Sequence, residues 1–372
     1  MSLSPQAARR EELAGAAAGQ GFQRVRWLRS VELPPAARGN PEVAALGEGL
    51  YLLAALSCHR EEPDDLSRPG DPHALVAPFA RRNYYREAVH RLKRVTAGAD
   101  EPAGNGDAPA VSRDAPAVGG AGPRLELRAG LRAGLRAGLR PGQRIFSNSR
   151  LPEKLLAAAC GLGFLGSNSL VIAPGLGSAF VIAGVFFPAG TGPASDLRRG
   201  ADAPLAGGLE AGGGCGDCRS CLEACPVGAI AAPGAVNPAR CLQSLATRLE
   251  PWPAAARAAW GFRLYGCQAC QDACPHNLAL SLQTPTERGV IGPSVPLRGL
   301  LGRDEEGVKE LFRGTALDRS WIPAAALLRN GLLAAGQRGD PAVLELVRAR
   351  RRDPVPAVRE AAAWAQESLG RD

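Results

Sequence analysis

Hydrophobic positions change their period several times along this chain, and each change predicts a different element. The first 22 residues are rich in Ala, with Glu11 and Glu12 among them, and read as a helix ending before Gly21. Gly49 to Ser57 (GLYLLAALS) is a short continuous apolar run, which predicts a buried strand. From Asn83 to Val95 the spacing lengthens. Tyr84, Ala88, Leu92 and Val95 share one helical face, and Arg and Lys residues cover the other. A basic face of this kind can serve phosphate, but a charged outer face is the ordinary state of a surface helix.

The pattern then lapses. Residues 98–123 carry almost no large apolar side chain and predict a disordered, low-complexity insertion. They run into a strict Leu-Arg-Ala-Gly repeat ending at Arg140. Its basic positions are Arg128, Arg132, Arg136 and Arg140, beside Leu127, Leu131, Leu135 and Leu139. At helical spacing this makes a basic stripe beside a leucine stripe. Gly130, Gly134 and Gly138 oppose a helix at about 1 kcal/mol each relative to Ala. The glycines favour an insert without a specific role over an RNA-binding arm.

Order resumes at Pro152. Leu155 to Cys160 predicts a helix, closed by Gly161, Gly163 and Gly166. Ser169 to Ala173 and Ala179 to Phe187, rich in Val, Ile and Phe, predict two strands paired around the Pro174-Gly175 turn. Residues 189–212 read as a Gly/Ala linker. From Lys309 onward the chain is helical, in pieces at Ala324 to Ala335, Pro341 to Arg350 and Pro354 to Leu369. Asp340-Pro341 and Asp353-Pro354 are both signals of an N-cap followed by Pro in the first turn. Two consecutive helices that begin this way suggest a small HEAT-like repeat.

The length of 372 residues allows two or three domains with real cores. The formal charge of +8 permits a nucleic-acid partner without requiring one. The longest apolar candidate, Ser178 to Pro188, has strand length, so no membrane span is expected. The N-terminus shows no basic-then-apolar signal segment. A soluble, cytoplasmic, monomeric protein with reduced thiols is the expectation.

Ten cysteines change the picture, because eight of them form one pattern. It begins Cys215-Gly-Asp-Cys218-Arg-Ser-Cys221-Leu-Glu-Ala-Cys225-Pro226, continues with an isolated Cys241, and ends Cys267-Gln-Ala-Cys270-Gln-Asp-Ala-Cys274-Pro275. This is ligand spacing for two [4Fe–4S] clusters. A cubane takes three thiolates from a tight turn, and the Cys before Pro, about one helical turn further on, reaches the other cluster. The pairing is therefore Cys215, Cys218, Cys221 and Cys274 on one cluster, and Cys225, Cys241, Cys267 and Cys270 on the other. Zinc favours CxxC pairs and does not ask for this spacing. Cys58 and Cys160 stand outside the pattern. Cys160, in the apolar stretch Leu155 to Leu162, reads as a small buried hydrophobe.

Taken in order, these pieces resemble the epoxyqueuosine reductase family. Pro78-Phe-Ala-Arg-Arg-Asn-Tyr-Tyr85 is similar to the family's P-Y-A-R-G-x-D-Y-H, and Gly161-Leu-Gly-Phe-Leu-Gly-Ser-Asn168 to G-L-G-W-I-G-K-N. The isolated Cys before C-x2-C-x3-C-P is also a feature of the family. Leu328-Arg-Asn330 and Val358-Arg-Glu-Ala-Ala-Ala-Trp364-Ala match its tail. Together they cover most of the chain outside 98–143.

The resemblance implies an architecture. An α/β cobalamin-binding-type domain would occupy residues 1–97 and 144–190. A bacterial ferredoxin-like domain with two [4Fe–4S] clusters would span 191–285, and a C-terminal α-helical HEAT-like repeat 305–372. It also implies an oxidoreductase that converts epoxyqueuosine to queuosine in tRNA, near the anticodon, using cob(I)alamin fed by the two clusters and by an external electron donor. Gly166, Ser167 and Asn168 would lie beside the corrinoid.

The chain departs from the family where corrinoid and substrate are expected. In Ser147-Asn-Ser-Arg-Leu-Pro-Glu153-Lys154, Ser147 stands at the position of the family's acidic proton donor in D-x-x-P-x-x-E-R. A serine hydroxyl is a far poorer acid than a carboxyl group. Asn83-Tyr84-Tyr85 replaces D-Y-H, Ser167 replaces the Lys of G-K-N, and Cys241-Leu-Gln-Ser-Leu-Ala replaces C-I-S-Y-L-T. The proton is then expected from water ordered by Ser147 or Asn148, or from Glu153. The alternatives are a corrinoid and iron–sulfur paralogue reducing another substrate, and an electron-transfer protein without corrinoid.

Overall fold

The computed structural model describes residues 5–58, 60, 64–97, 139–193, 204–205, 207–282 and 291–370. The low-complexity insertion up to residue 138, with the basic repeat it contains, lies outside the described residues, as does the middle of the 189–212 segment.

The strands of the N-terminal half are β1 (Arg24–Arg29), β2 (Gly49–Ser57), β3 (His73–Val76), β4 (Arg144–Phe146), β5 (Phe164–Leu165), β6 (Val171–Ile172) and β7 (Phe180–Pro188). Four of them form an antiparallel sheet in the order β1-β2-β7-β4. The apolar run that predicts β2 is continuous because both of its faces are covered. Leu50, Leu52, Ala54 and Leu56 pack with Leu13 and Ala17 of helix Pro5–Gly19 and with the helix Tyr84–Ala97. Tyr51, Leu53 and Ala55 pack on the opposite side, against Leu156 and Ala157 of helix Glu153–Ala159. Helix Tyr84–Ala97 buries Tyr84, Ala88, Leu92 and Val95, the face its spacing predicts.

The expected pairing of 169–173 with 179–187 is not what forms. β7 matches β2 over nine residues, from Gly49 opposite Pro188 to Ser57 opposite Phe180. A nine-residue apolar strand satisfies its backbone far better there than against a two-residue neighbour. β6 instead pairs with β5, Phe164 opposite Ile172. The Pro174-Gly175 turn is closed locally by a bridge from Ala173 to Gly177.

The C-terminal half adds a hairpin of β8 (Ile230–Ala232) and β9 (Ala235–Val236), then β10 (Arg263–Tyr265) and β11 (Ser294–Pro296). β3 crosses into this half and lies between β10 and β11. Ala74, Val76 and Ala80 therefore share a core with Trp260, Leu264, Leu297 and Leu328. Helix Ala324–Arg338 is buried on every side from Ala324 to Gly336, which explains its all-round apolar composition. The Asp340 carboxylate accepts from Ala342 N at 2.9 Å and opens a 3-10 turn, Pro341–Val343, ahead of helix Leu344–Arg350. The second Asp-Pro does not cap its helix, which starts two residues later in Pro356–Leu369. Asp353 is buried, with one oxygen engaged by Arg350 at 2.9 Å and the other by Val355 N at 3.0 Å, so it closes the preceding loop. Among the described residues, no helix is long and apolar enough to cross a membrane.

Candidate iron–sulfur and cofactor site

The cysteine segments fold as two copies of one local shape. In each, a residue between two cysteines adopts the same backbone conformation ahead of a short helix: Arg219 before Ser220–Glu223 and Gln268 before Ala269–Asp272, both at φ −121°, ψ 5°. This equates Cys218 with Cys267, Cys221 with Cys270, and Cys225 with Cys274. The counterpart of Cys215, three residues before Cys267, is Leu264, fully buried in β10. A fourth thiol for the second group must therefore come from elsewhere, and Cys241 lies there.

The eight cysteines line two cavities, four in each. One, about 190 Å³, is lined by Cys215, Cys218, Cys221 and Cys274, with Ser167, Asn168 and His276. The other, about 590 Å³, is lined by Cys225, Cys241, Cys267 and Cys270. The N-terminal half contributes Phe79, Tyr85, Lys154, Leu170 and Phe180 to its wall, beside cluster-domain residues such as Val227, Ile230 and Leu242. Burial pushes the Cys270 thiol up to about 12, and the Cys267, Cys221, Cys241 and Cys225 thiols add to the shift. Burial likewise raises Cys221, Cys267 and Cys274. Crowded buried thiols need a cationic centre to become thiolates, which iron supplies. Two cysteines have hydrogen-bond partners of their own: Cys225 Sγ accepts from Ala229 N at 3.1 Å, and Cys218 Sγ lies 3.5 Å from Ser220 Oγ. The Ser220 hydrogen bond holds the Cys218 thiol below its usual range.

Residues 207–212, the end of the expected 189–212 linker, instead pack along β5. Leu165 N donates to Gly208 O at 3.0 Å and Gly212 N to Leu165 O at 2.8 Å. Leu205 packs with Phe164, Ile172 and Cys274. A buried amide joins the two halves. Asn277 Oδ1 accepts from Ser178 N at 2.8 Å, and its Nδ2 donates to Gln271 O at 2.8 Å and Ser178 Oγ at 2.9 Å. Gly177 sits against it at φ +69°, where a Cβ would come within 2.1 Å of Asn277 Oδ1.

The residues singled out at Gly166, Ser167 and Asn168 are split by the structure. Asn168 lines both cavities, and Ser167 only the smaller one. Gly166 packs on β6: a Cβ there would meet Ile172 Cδ1 at 2.5 Å. Ser147 lies at the end of β4, and its hydroxyl donates to Ile182 O at 2.7 Å. Glu153 accepts from Asn148 N at 2.9 Å and Ser149 N at 2.7 Å, which holds Asn148 at φ +51°. Burial raises the Glu153 pKa against the pull of these bonds. Cys160 is fully buried in the core below this loop.

Lys154, Tyr85 and Cys58 also line the larger cavity and were not singled out in the sequence. Lys154 Nζ donates to Ser169 O at 2.8 Å, and burial lowers its pKa. Surrounding protein pushes the Tyr85 phenol up to about 12, and burial does the same to the Cys58 thiol, so both stay protonated at neutral pH. Their signal was position alone: Tyr85 and Lys154 each end a stretch that carries the family resemblance.

Residues 214–277 match the family model described as a 4Fe-4S double cluster binding domain. The chain carries an iron–sulfur cluster-binding domain. Solved structures of epoxyqueuosine reductase superpose on it with a TM-score of 0.68 at 22% identity, covering 98% of this chain and 91% of theirs. The chain has the fold of epoxyqueuosine reductase. One such structure, 20% identical at the same TM-score and coverage, is of the reductase with an epoxyqueuosine-modified tRNA-Tyr stem loop. In sequence, the chain is similar to the epoxyqueuosine reductases of Bacillus subtilis, 30% identical over 224 residues, and of Escherichia coli, 31% over 220. These matches take in 59% and 57% of this chain. The chain spans about half the length of these curated relatives, 54% and 53%.

Proposed function

We propose that the protein is a cytoplasmic, monomeric reductase of the epoxyqueuosine reductase type, acting on epoxyqueuosine near the anticodon of tRNA. Cys215, Cys218, Cys221 and Cys274 hold one [4Fe–4S] cluster; Cys225, Cys241, Cys267 and Cys270 hold the other. The C-terminal helices serve as a HEAT-like unit backing the cluster domain. The observation that carries this reading is the larger cavity, which four cysteine thiols share with the wall of the α/β half.

That cavity suits a corrinoid. Phe79, Leu170, Phe180 and Val181 give it apolar walls, and Asn168 brings a buried amide nitrogen with no protein partner. That amide carries two N–H donors, so one can meet the amide-bearing edge of a corrin ring and leave the other for the smaller cavity, which Asn168 also lines. The corrinoid, as cob(I)alamin, supplies the low-valent metal chemistry that removes the epoxide oxygen. The polypeptide binds, orients and supplies protons. A cluster held by Cys225, Cys241, Cys267 and Cys270 would border this cavity, and one held by Cys215, Cys218, Cys221 and Cys274 would lie behind it and relay electrons from an external donor. Ser147 spends its hydroxyl on Ile182 O and is not a cavity-facing acid. Lys154, Tyr85 and Cys58 are cavity groups that hold a proton. Burial lowers the Lys154 pKa toward the working range, where an ammonium is a better acid.

The test is anaerobic reconstitution followed by addition of cobalamin. Loaded protein should show corrinoid absorbance after gel filtration. It should also convert an epoxyqueuosine-containing tRNA stem loop to the queuosine form under reduction. Protein with both clusters and no retained corrinoid would move the assignment to an electron-transfer role.

A further inference from the structure

Ser167 and Asn168 are adjacent, and both line the smaller cavity. Ser167 is 2% exposed and its hydroxyl has no protein partner. Asn168 is 6% exposed; its Oδ1 accepts from Leu170 N at 3.1 Å, which fixes the amide and leaves Nδ2 as the end with no protein partner. Both are buried donors, and leaving such a donor unsatisfied costs about 1–3 kcal/mol. The backbone holds them in place: Gly234 N donates to Ser167 O at 2.8 Å. Gly212, at φ +82°, leaves the room the hydroxyl needs, since a Cβ there would stand 2.8 Å from Ser167 Oγ. The other polar atoms of this cavity belong chiefly to Cys215, Cys218, Cys221 and Cys274. Thiolates and sulfides of an iron–sulfur cluster carry negative charge and accept hydrogen bonds.

We propose that Ser167 and Asn168 donate hydrogen bonds to sulfur atoms of the cluster held by Cys215, Cys218, Cys221 and Cys274, and so raise its reduction potential. This rests on the two-cluster reading above. Hydrogen bonds to cluster sulfur stabilise the more negative, reduced state, so removing one lowers the potential. The Cys225 cluster lacks this pair, except where Asn168 also borders its cavity. Ser167 thus separates the two clusters most cleanly.

The experiment is an EPR-monitored redox titration of reconstituted full-length protein, wild type against Ser167→Ala, with the Cys215 cluster identified by its persistence in Cys241→Ala. Ser167→Ala should keep the wild-type iron content. Its Cys215 cluster should be about tenfold harder to reduce, a shift of about 59 mV for one electron, with the Cys225 cluster unmoved. An unchanged potential at full iron content, or an equal shift in both clusters, overturns the proposal. Pulsed EPR of wild-type protein exchanged into D2O gives a second measurement, needing no variant. Exchangeable protons should couple to the Cys215 cluster, and their absence overturns the proposal even if Ser167→Ala does not assemble. A wild-type protein that forms no cluster signal contradicts the two-cluster reading instead.

Discussion

The guanidinium of Arg329 lies over the ring of Trp252, 4.6 Å from its centroid, and ties the C-terminal helices to the cluster domain. It donates to Leu245 O at 3.0 Å and Ala246 O at 3.2 Å, and also to Arg248 O. These carbonyls close the short helix Leu242–Leu245 that follows Cys241. Burial lowers the Arg329 pKa to about 9, so it remains a cation at neutral pH. Arg329→Met keeps most of the volume but leaves these buried carbonyls without donors. It should destabilise the protein by about 3 kcal/mol, from the lost hydrogen bonds and ring contact together. Arg329→Lys should recover little, because an ammonium cannot span three carbonyls in a plane. Denaturant melts of the two variants check this; a loss below about 1 kcal/mol in Arg329→Met would show that water replaces the guanidinium.

The cysteine grouping predicts separable damage. Wild-type protein should hold about eight iron atoms, two cubanes of four. Cys241→Ala should lose the cluster beside the large cavity and keep the other, and Cys274→Ala should do the reverse. Iron analysis with EPR reads both. Loss of the Cys225 cluster in Cys274→Ala, with the Cys215 cluster spared, would contradict the grouping.

Much of this was legible in the sequence where local rules suffice. Cysteine spacing is local, and it marked the eight cysteines that divide four and four between the two cavities. β2 and helix Tyr84–Ala97 followed from apolar periodicity because their buried faces are continuous. What long-range contacts decide was not legible. β7 takes β2 as its partner because β2 offers nine matching residues. Asp353 fails as a cap because Arg350 takes one carboxylate oxygen and Val355 N, ahead of the helix, takes the other. Tyr85, Lys154 and Cys58 become cavity residues only once the halves close, held by Asn277.

Proton supply separates Ser147 from Lys154. Lys154→Met should lower turnover about a hundredfold, the scale of general-acid catalysis, and should change the pH profile. Lys154→Arg should not restore it, since guanidinium does not release its proton at working pH. Ser147→Asp places a carboxyl group beside Ile182 O and outside the cavity lining, where only its protonated form can donate, and should not raise turnover. Full turnover in Lys154→Met would remove Lys154 from the reaction.

Glu153 should leave a mark on stability. Burial raises its folded pKa above the unfolded value, so between the two values the native state binds more protons. Stability from this group is therefore greatest below the unfolded pKa and falls as pH rises through the folded one. The stability of the natural protein relative to Glu153→Gln should decline across that window, just above the ordinary carboxylate range. Denaturant midpoints at a series of pH values read the slope, and a difference that grows with pH would mean the Asn148 and Ser149 hydrogen bonds outweigh burial.

The most direct measurement is the nucleoside content of tRNA from cells lacking this gene, compared with cells carrying it. The account predicts that epoxyqueuosine accumulates and queuosine disappears when the gene is lost, and that the natural gene restores queuosine while Cys241→Ala does not. Unchanged queuosine in the deleted cells would contradict it.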